Sequence, residues 1–189
     1  MIKQLKVRMT RIEKYSRFCQ SFEGGWANDP DDAGGATMKG VTYARFCEYR
    51  RAKGLRKPTL TDLRNITDKE WSEVLRWGFW DVVKADQIKD EWCAYMIVDW
   101  CWHGGLGKIK NIQRLIGVKD DGKIGPITLA KLNSYTGKAL FDILWRGREN
   151  NLKYVATLRN NKKYLNGWLR RLRCIQYGKL ITNGGATIQ

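Results

Sequence analysis

The chain has 189 residues, of which 43% are hydrophobic and nine are Trp, enough to bury a substantial core in one domain or two tightly packed small ones and to exclude a disordered chain. A formal net charge of +16 points to a polyanionic partner, whether nucleic acid, an anionic membrane surface or a charged cell envelope, without choosing among them. No stretch approaches the roughly 18 apolar residues of a spanning helix, and the start Met1-Ile2-Lys3-Gln4-Leu5-Lys6 lacks the apolar core of a signal peptide, so the expectation is cytoplasmic synthesis without membrane insertion.

In chain order, Ile12, Tyr15, Cys19 and Phe22 recur at helical spacing and predict a helix from about 10 to 22, which Gly24-Gly25 ends. Glu23 lies at its C-terminal edge. From Trp26 to Gly40 the run of Asn, Asp, Pro and Gly reads as a long ordered loop. A helix follows from Thr42 to about Ala52, closed by Gly54, and Thr67-Asp68-Lys69-Glu70 has the form of a capping box that places Trp71, Val74 and Leu75 on a buried face. The next helix runs from about Glu91 to the Gly104-Gly105 stop. Beyond it come a short helix, Ile109 to Ile116, the turn Lys119 to Pro126, and a helix from near Ile127. Leu140, Leu144, Gly147, Asn151, Tyr154 and Leu158 form one predicted stripe, and Leu165, Trp168, Leu169, Leu172 and Gln176 another. Strand alternation is scarce, and the tail from Asn183 to Gln189 reads as frayed.

The predicted fold is therefore mainly α, with a long loop or small hairpin between 26 and 42 and a packed helical C-terminal region. A boundary near 105 divides the chain into 1–105 and 106–189.

Cys19, Cys47, Cys93, Cys101 and Cys174 include no Cys-x-x-Cys pair and read as buried thiols, neither a disulfide framework nor a metal site. With His103 the only histidine, a serine or cysteine triad has a single possible base, so carboxylates are the place to look. Cleaving a glycosidic bond takes one protonated carboxyl and, as a rule, a second carboxylate that activates water or attacks the sugar. Residues 23–42 supply both kinds. A helix end behind Glu23, with Phe22 and Trp26 beside it, disfavours its ionised form and suits an acid. Asp32 lies nine positions on, a span of roughly 30 Å if extended, but Asn28-Asp29-Pro30 and Gly34-Gly35 let the chain double back to the about 6.5 to 9.5 Å of a carboxylate pair. Asp29 and Asp31 rival Asp32 for that role, and Thr37 reads either as a helix or turn cap or as a contact to water or sugar.

This segment, Glu-Gly-Gly-Trp-Ala-Asn-Asp-Pro-Asp-Asp-Ala-Gly-Gly-Ala-Thr-Met-Lys-Gly-Val-Thr, resembles the glycoside hydrolase family 108 lysozymes without a gap. Ala33 replaces the usual proline, and Lys39 stands where tyrosine is common. The resemblance continues through Phe79-Trp80-Asp81 and through Asp99-Trp100-Cys101-Trp102-His103-Gly104-Gly105, where His103 replaces an asparagine. From Ile112 to Asn133 the chain is similar to the peptidoglycan-binding module that accompanies the family.

The resemblance implies an N-acetylmuramidase with a lysozyme-like helical fold. Glu23, Asp32 and Thr37 are its catalytic candidates, and Trp26, Asn28, Asp29, Trp80 and His103 its substrate contacts, although His103 between aromatic residues also reads as a packed side chain. It implies no cofactor and no metal. The expected partner is bacterial peptidoglycan, with no nucleic acid and a monomeric chain, reached at the cell wall or periplasm after release or export. A second class, a non-catalytic peptidoglycan-binding or secretion-assisting protein, would tolerate the loss of Glu23.

Overall fold

The computed structural model describes residues 9–28, 35–158 and 161–189. Helix α1 (Arg11–Gln20) starts at a reciprocal capping box between Thr10 and Glu13. A short hairpin, β1 (Thr37–Met38) and β2 (Val41–Thr42), leads into α2 (Tyr43–Ala52), α3 (Leu60–Arg64) and α4 (Asp68–Leu75). At α4 only half of the predicted capping box forms. The Thr67 hydroxyl accepts from the Glu70 backbone N–H, while the Glu70 carboxylate is drawn away to Arg50 at 2.7 and 2.9 Å.

The centre of the molecule is α5 (Glu91–Gly104), in which every residue from Cys93 to Cys101 is buried. A helix covered on all sides must be wrapped by other elements. Helices α1, α6 (Lys108–Leu115) and α8 (Gly137–Thr157) and strand β3 (Ile175–Gln176) do this, while α7 (Pro126–Leu132) and α9 (Leu165–Arg173) lie further out. Side chains from both sides of Gly105 share one core, in which Tyr15, Trp71 and Tyr95 join Leu144, Leu172 and Leu180. The turn between α6 and α7 is tied by buried Gln113, which donates to Asp121 and to the Lys123 carbonyl and accepts from the Gly122 N–H.

Three expectations are corrected. The buried stripe of α8 is Leu140, Leu144, Arg148, Leu152 and Ala156, whereas Tyr154 is 62% exposed and Leu158 43%. The face advances in steps of four because Arg148, a residue that hydrophobic pattern reading places outside, points inward to an ion pair with buried Asp99. The C-terminal region is also not all helical, and its tail is ordered. Strands β3, β4 (Lys179–Ile181) and β5 (Thr187–Ile188) form an antiparallel sheet with Leu180 opposite Ile188, and Ile188 is buried. The Gly-rich run that reads as fraying is a hairpin turn, closed by Thr182 N–H to the Ala186 carbonyl at 2.8 Å. Finally, Cys19, Cys93 and Cys101 are buried thiols, but Cys47 and Cys174 are only half-buried.

Candidate active site

Glu23 follows the last turn of α1, where its N–H still donates to the Gln20 carbonyl at 3.2 Å. The end of this helix is pinned from the far end of the chain, since the Asn183 N–H donates to the Ser21 hydroxyl at 2.9 Å. The Glu23 side chain is 14% exposed, and its Oε1 accepts from Trp102 Nε1 and from Arg171 Nη1, both at 2.8 Å. The Cys19 thiol lies at 3.6 Å from the same oxygen; burial pushes its pKa up, so it remains a protonated donor. The sequence offers Glu23 only a helix end and apolar neighbours; the guanidinium comes from 148 positions away.

Oε2 lies on the other side, against Gly40. Lys39 and Gly40 both have positive φ, 47° and 77°, as a tight hairpin turn with a matching twist requires. A Cβ on residue 40 would collide with Oε2 of Glu23 and crowd Trp102. Glycine is thus needed there for the turn and again for the approach of the acid. The turn is held by Trp71 Nε1 donating to the Lys39 carbonyl at 2.8 Å, and the Lys39 ammonium is engaged with Asp68 at 2.7 Å. Trp102 is wedged against Trp71 and Phe79, with ring centroids 5.2 and 5.0 Å away, which fixes the indole N–H on Glu23.

Arg171 carries a second load. Its Nη2 and Nε donate to Asp99 at 2.8 and 3.1 Å, Tyr15 donates to the same Asp99 oxygen at 2.8 Å, and Arg148 pairs with the other. Burial alone would push the Asp99 carboxyl up, but Arg171 and then Arg148 outweigh it and hold Asp99 well below the usual carboxylate range. Arg170, Arg171 and Arg173 read from sequence as a solvated face; Arg171 is instead buried. A signal was available, because Trp168, Arg171, Leu172 and Ile175 fall at the 0, 3, 4, 7 spacing of a core-facing stripe.

Glu23 opens into a cavity of about 350 Å³ shared with Phe22, His103, Trp168, Arg171 and Asn183. His103 stands edge-on to Trp168, with centroids 5.7 Å apart. Desolvation against its neighbours, followed by the charges of Arg148 and Arg171, pushes the imidazole down to about 4, although the residue as a whole is exposed to solvent. It is therefore neutral at pH 7.

The structure brings Glu23 and His103 together at one cavity. The long loop is closed at its base, where Ala27 and Thr37 exchange backbone hydrogen bonds at 3.0 and 2.8 Å. Thr37 is thereby a strand residue, not a cap, and Asn28 is exposed just inside the closed base. Trp26 is half-buried, with the Arg64 guanidinium 5.9 Å from one ring face. Asp29 and Asp32 lie outside the described residues. Trp80 does not reach the site: it is fully buried between Tyr15 and Tyr95, each 6.2 Å away, and is a core residue that no sugar can touch. Trp102, Trp168, Arg171 and Asn183 were not foreseen, because three of them come from the far end of the chain.

Among the described residues Glu23 is the carboxyl at the rim of this aromatic-lined cavity, an arrangement that suits a glycoside hydrolase, and the comparisons show that class. Residues 17–105 match the glycosyl hydrolase 108 model, and residues 108–173 match one described as a predicted peptidoglycan domain. Residues 17–105 are thus a glycosyl hydrolase 108 domain, and with the peptidoglycan domain that follows the chain is a peptidoglycan hydrolase. Among solved structures it is similar to SagA of Brucella abortus, with a TM-score of 0.71 and 26% identity over 87% of this chain and 90% of that one. No curated protein matches it. Among the described residues no helix is long and apolar enough to cross a membrane.

Proposed function

We propose that the protein is an endo-acting N-acetylmuramidase that cleaves the β-1,4 bond between N-acetylmuramic acid and N-acetylglucosamine, with Glu23 as general acid. The observation that carries this reading is the placement of Glu23 at the 350 Å³ cavity with Oε1 fully engaged by Trp102 and Arg171. That engagement fixes the carboxyl and leaves Oε2 to hold the proton for the leaving oxygen. As the C–O bond breaks, the proton passes from Glu23 to the glucosamine oxygen, and water adds to the muramic acid carbon. Asp32 is the second carboxylate, taking the water's proton or stabilising the developing positive charge. Thr37 contacts water or sugar, and Trp26, Asn28, Asp29 and His103 line the strand's path. In this reading residues 1–105 supply the acid, while 106–189 add contacts to peptidoglycan and, through Arg171, hold that acid in place.

Incubating the protein with purified sacculi and identifying the new reducing end by mass spectrometry tests the bond. A muramic acid end is expected; a glucosamine end means a different bond is cut. Glu23→Gln preserves size and hydrogen bonding but carries no proton for the leaving group. It should lose about 10² to 10⁴ in rate while folding normally, and near wild-type cleavage would remove Glu23 as the acid.

A further inference from the structure

The space around Glu23 does not end at His103. His103 and Trp168 wall the Glu23 cavity on one side and a second cavity of about 160 Å³ on the other. The second cavity is less than half the size of the first, which suits a small charged group better than a sugar ring. Trp100 and Leu152 make part of its apolar lining, and its polar groups include Lys108 and Asn151.

Both polar groups have donors to spare. Lys108 opens α6 with its stem laid along Gly104, where a Cβ would collide with it, so the chain is held at the cavity wall. Other lysines of the molecule meet carboxylates, as Lys14 does Glu91 and Lys138 does Asp142, but among the described residues Lys108 meets none. Partial burial pushes its pKa down, a cost that an incoming anion would relieve. At Asn151 the Trp100 indole, which can only donate, approaches Oδ1 at 3.4 Å. That assigns the amide oxygen and leaves the Nδ2 donors without a partner among the described residues. The lining contains the donors of Lys108 and Asn151, no carboxylate among the described residues, and apolar walls that strengthen any charge pairing inside.

Resting on the muramidase reading above, the geometry points to this second cavity as a subsite for a carboxylate of the peptide that branches from muramic acid, bound by Lys108 and Asn151. In peptidoglycan that peptide leaves the sugar through a lactyl ether only a few bonds from the glycosidic link under attack. A strand with its scissile bond at Glu23 therefore presents the branch to the neighbouring wall. The subsite makes the enzyme prefer peptide-bearing strands over bare glycan.

The test compares kcat/KM on peptide-bearing glycan strands with kcat/KM on the same strands after their peptide carboxylates are capped as neutral amides. Wild-type enzyme should favour the uncapped substrate. Lys108→Gln, which keeps most of the stem, should reduce that ratio about tenfold, the worth of one charge-assisted hydrogen bond. Lys108→Arg should restore part of it. Asn151→Asp, which puts a negative charge where a donor stood, should reduce the ratio further, with thermal melting to confirm folding. An unchanged ratio in well-folded Lys108→Gln would overturn the subsite, as would an equal loss on both substrates. Failure of wild-type enzyme to cut either substrate would instead overturn the muramidase reading.

Discussion

Asp99 and Glu23 share one guanidinium, yet their surroundings differ in the way that separates a structural carboxylate from a working one. Asp99 is fully buried at the middle of α5, with both oxygens saturated by Arg148, Arg171 and Tyr15. Glu23 sits at a helix end with one oxygen held and a cavity before it. Two charges buried without partners would each cost several kcal/mol, so Asp99 and its two arginines must form together. Arg171 then projects its remaining nitrogen to Glu23. The buried cluster is thus a mount, and the acid is aimed by a residue anchored elsewhere. Because Arg171 and Asn183 belong to the C-terminal region, the site is complete only when both ends of the chain have folded onto α5.

The largest effect should come from breaking the mount. Asp99→Asn leaves buried Arg148 without an anion and Arg171 with Glu23 alone, and should cost about 3 to 5 kcal/mol of stability in a urea melt. Glu23→Gln should cost much less, because Arg171 keeps Asp99. Equal losses would erase the distinction between the two carboxylates.

Next comes the shared residue. Arg171→Gln withdraws the nitrogen that holds Oε1 of Glu23, so kcat on sacculi should fall about tenfold with KM little changed. Arg171→Lys, whose ammonium cannot serve Glu23 and Asp99 in one planar fork, should recover only part of that rate. An unchanged kcat in well-folded Arg171→Gln would mean that Trp102 alone aims the acid.

The smallest effect concerns His103. Its imidazole titrates near 6.5 in the unfolded chain and about 4 in the folded one, so the unfolded state takes up the proton first. Stability from this group is therefore lost as pH falls from about 6.5 to about 4, and His103→Gln should flatten that part of the stability profile. The exposure of His103 to solvent keeps the effect modest. A steeper acid loss in the variant would contradict the assignment.

Much of this molecule is written locally. The capped starts of α1 and α4, the glycine stop of α5 and the unbroken motif around Glu23 depend on residues within a few positions of one another, so the sequence by itself determined the helical class, the family and the candidate acid. Strands of two or three residues carry no readable period, so the C-terminal sheet was missed. Charged residues read as solvated unless a partner is known, so Arg170, Arg171 and Arg173 read as one solvated face, and Trp80 reads as a substrate contact because its motif gives no sign of burial. Only the tertiary structure decided these points. The partners that bury Arg171 stand 72 and 148 positions away, at Asp99 and Glu23, and the energy of a buried charge is set by what surrounds it in space, not by its neighbours along the chain.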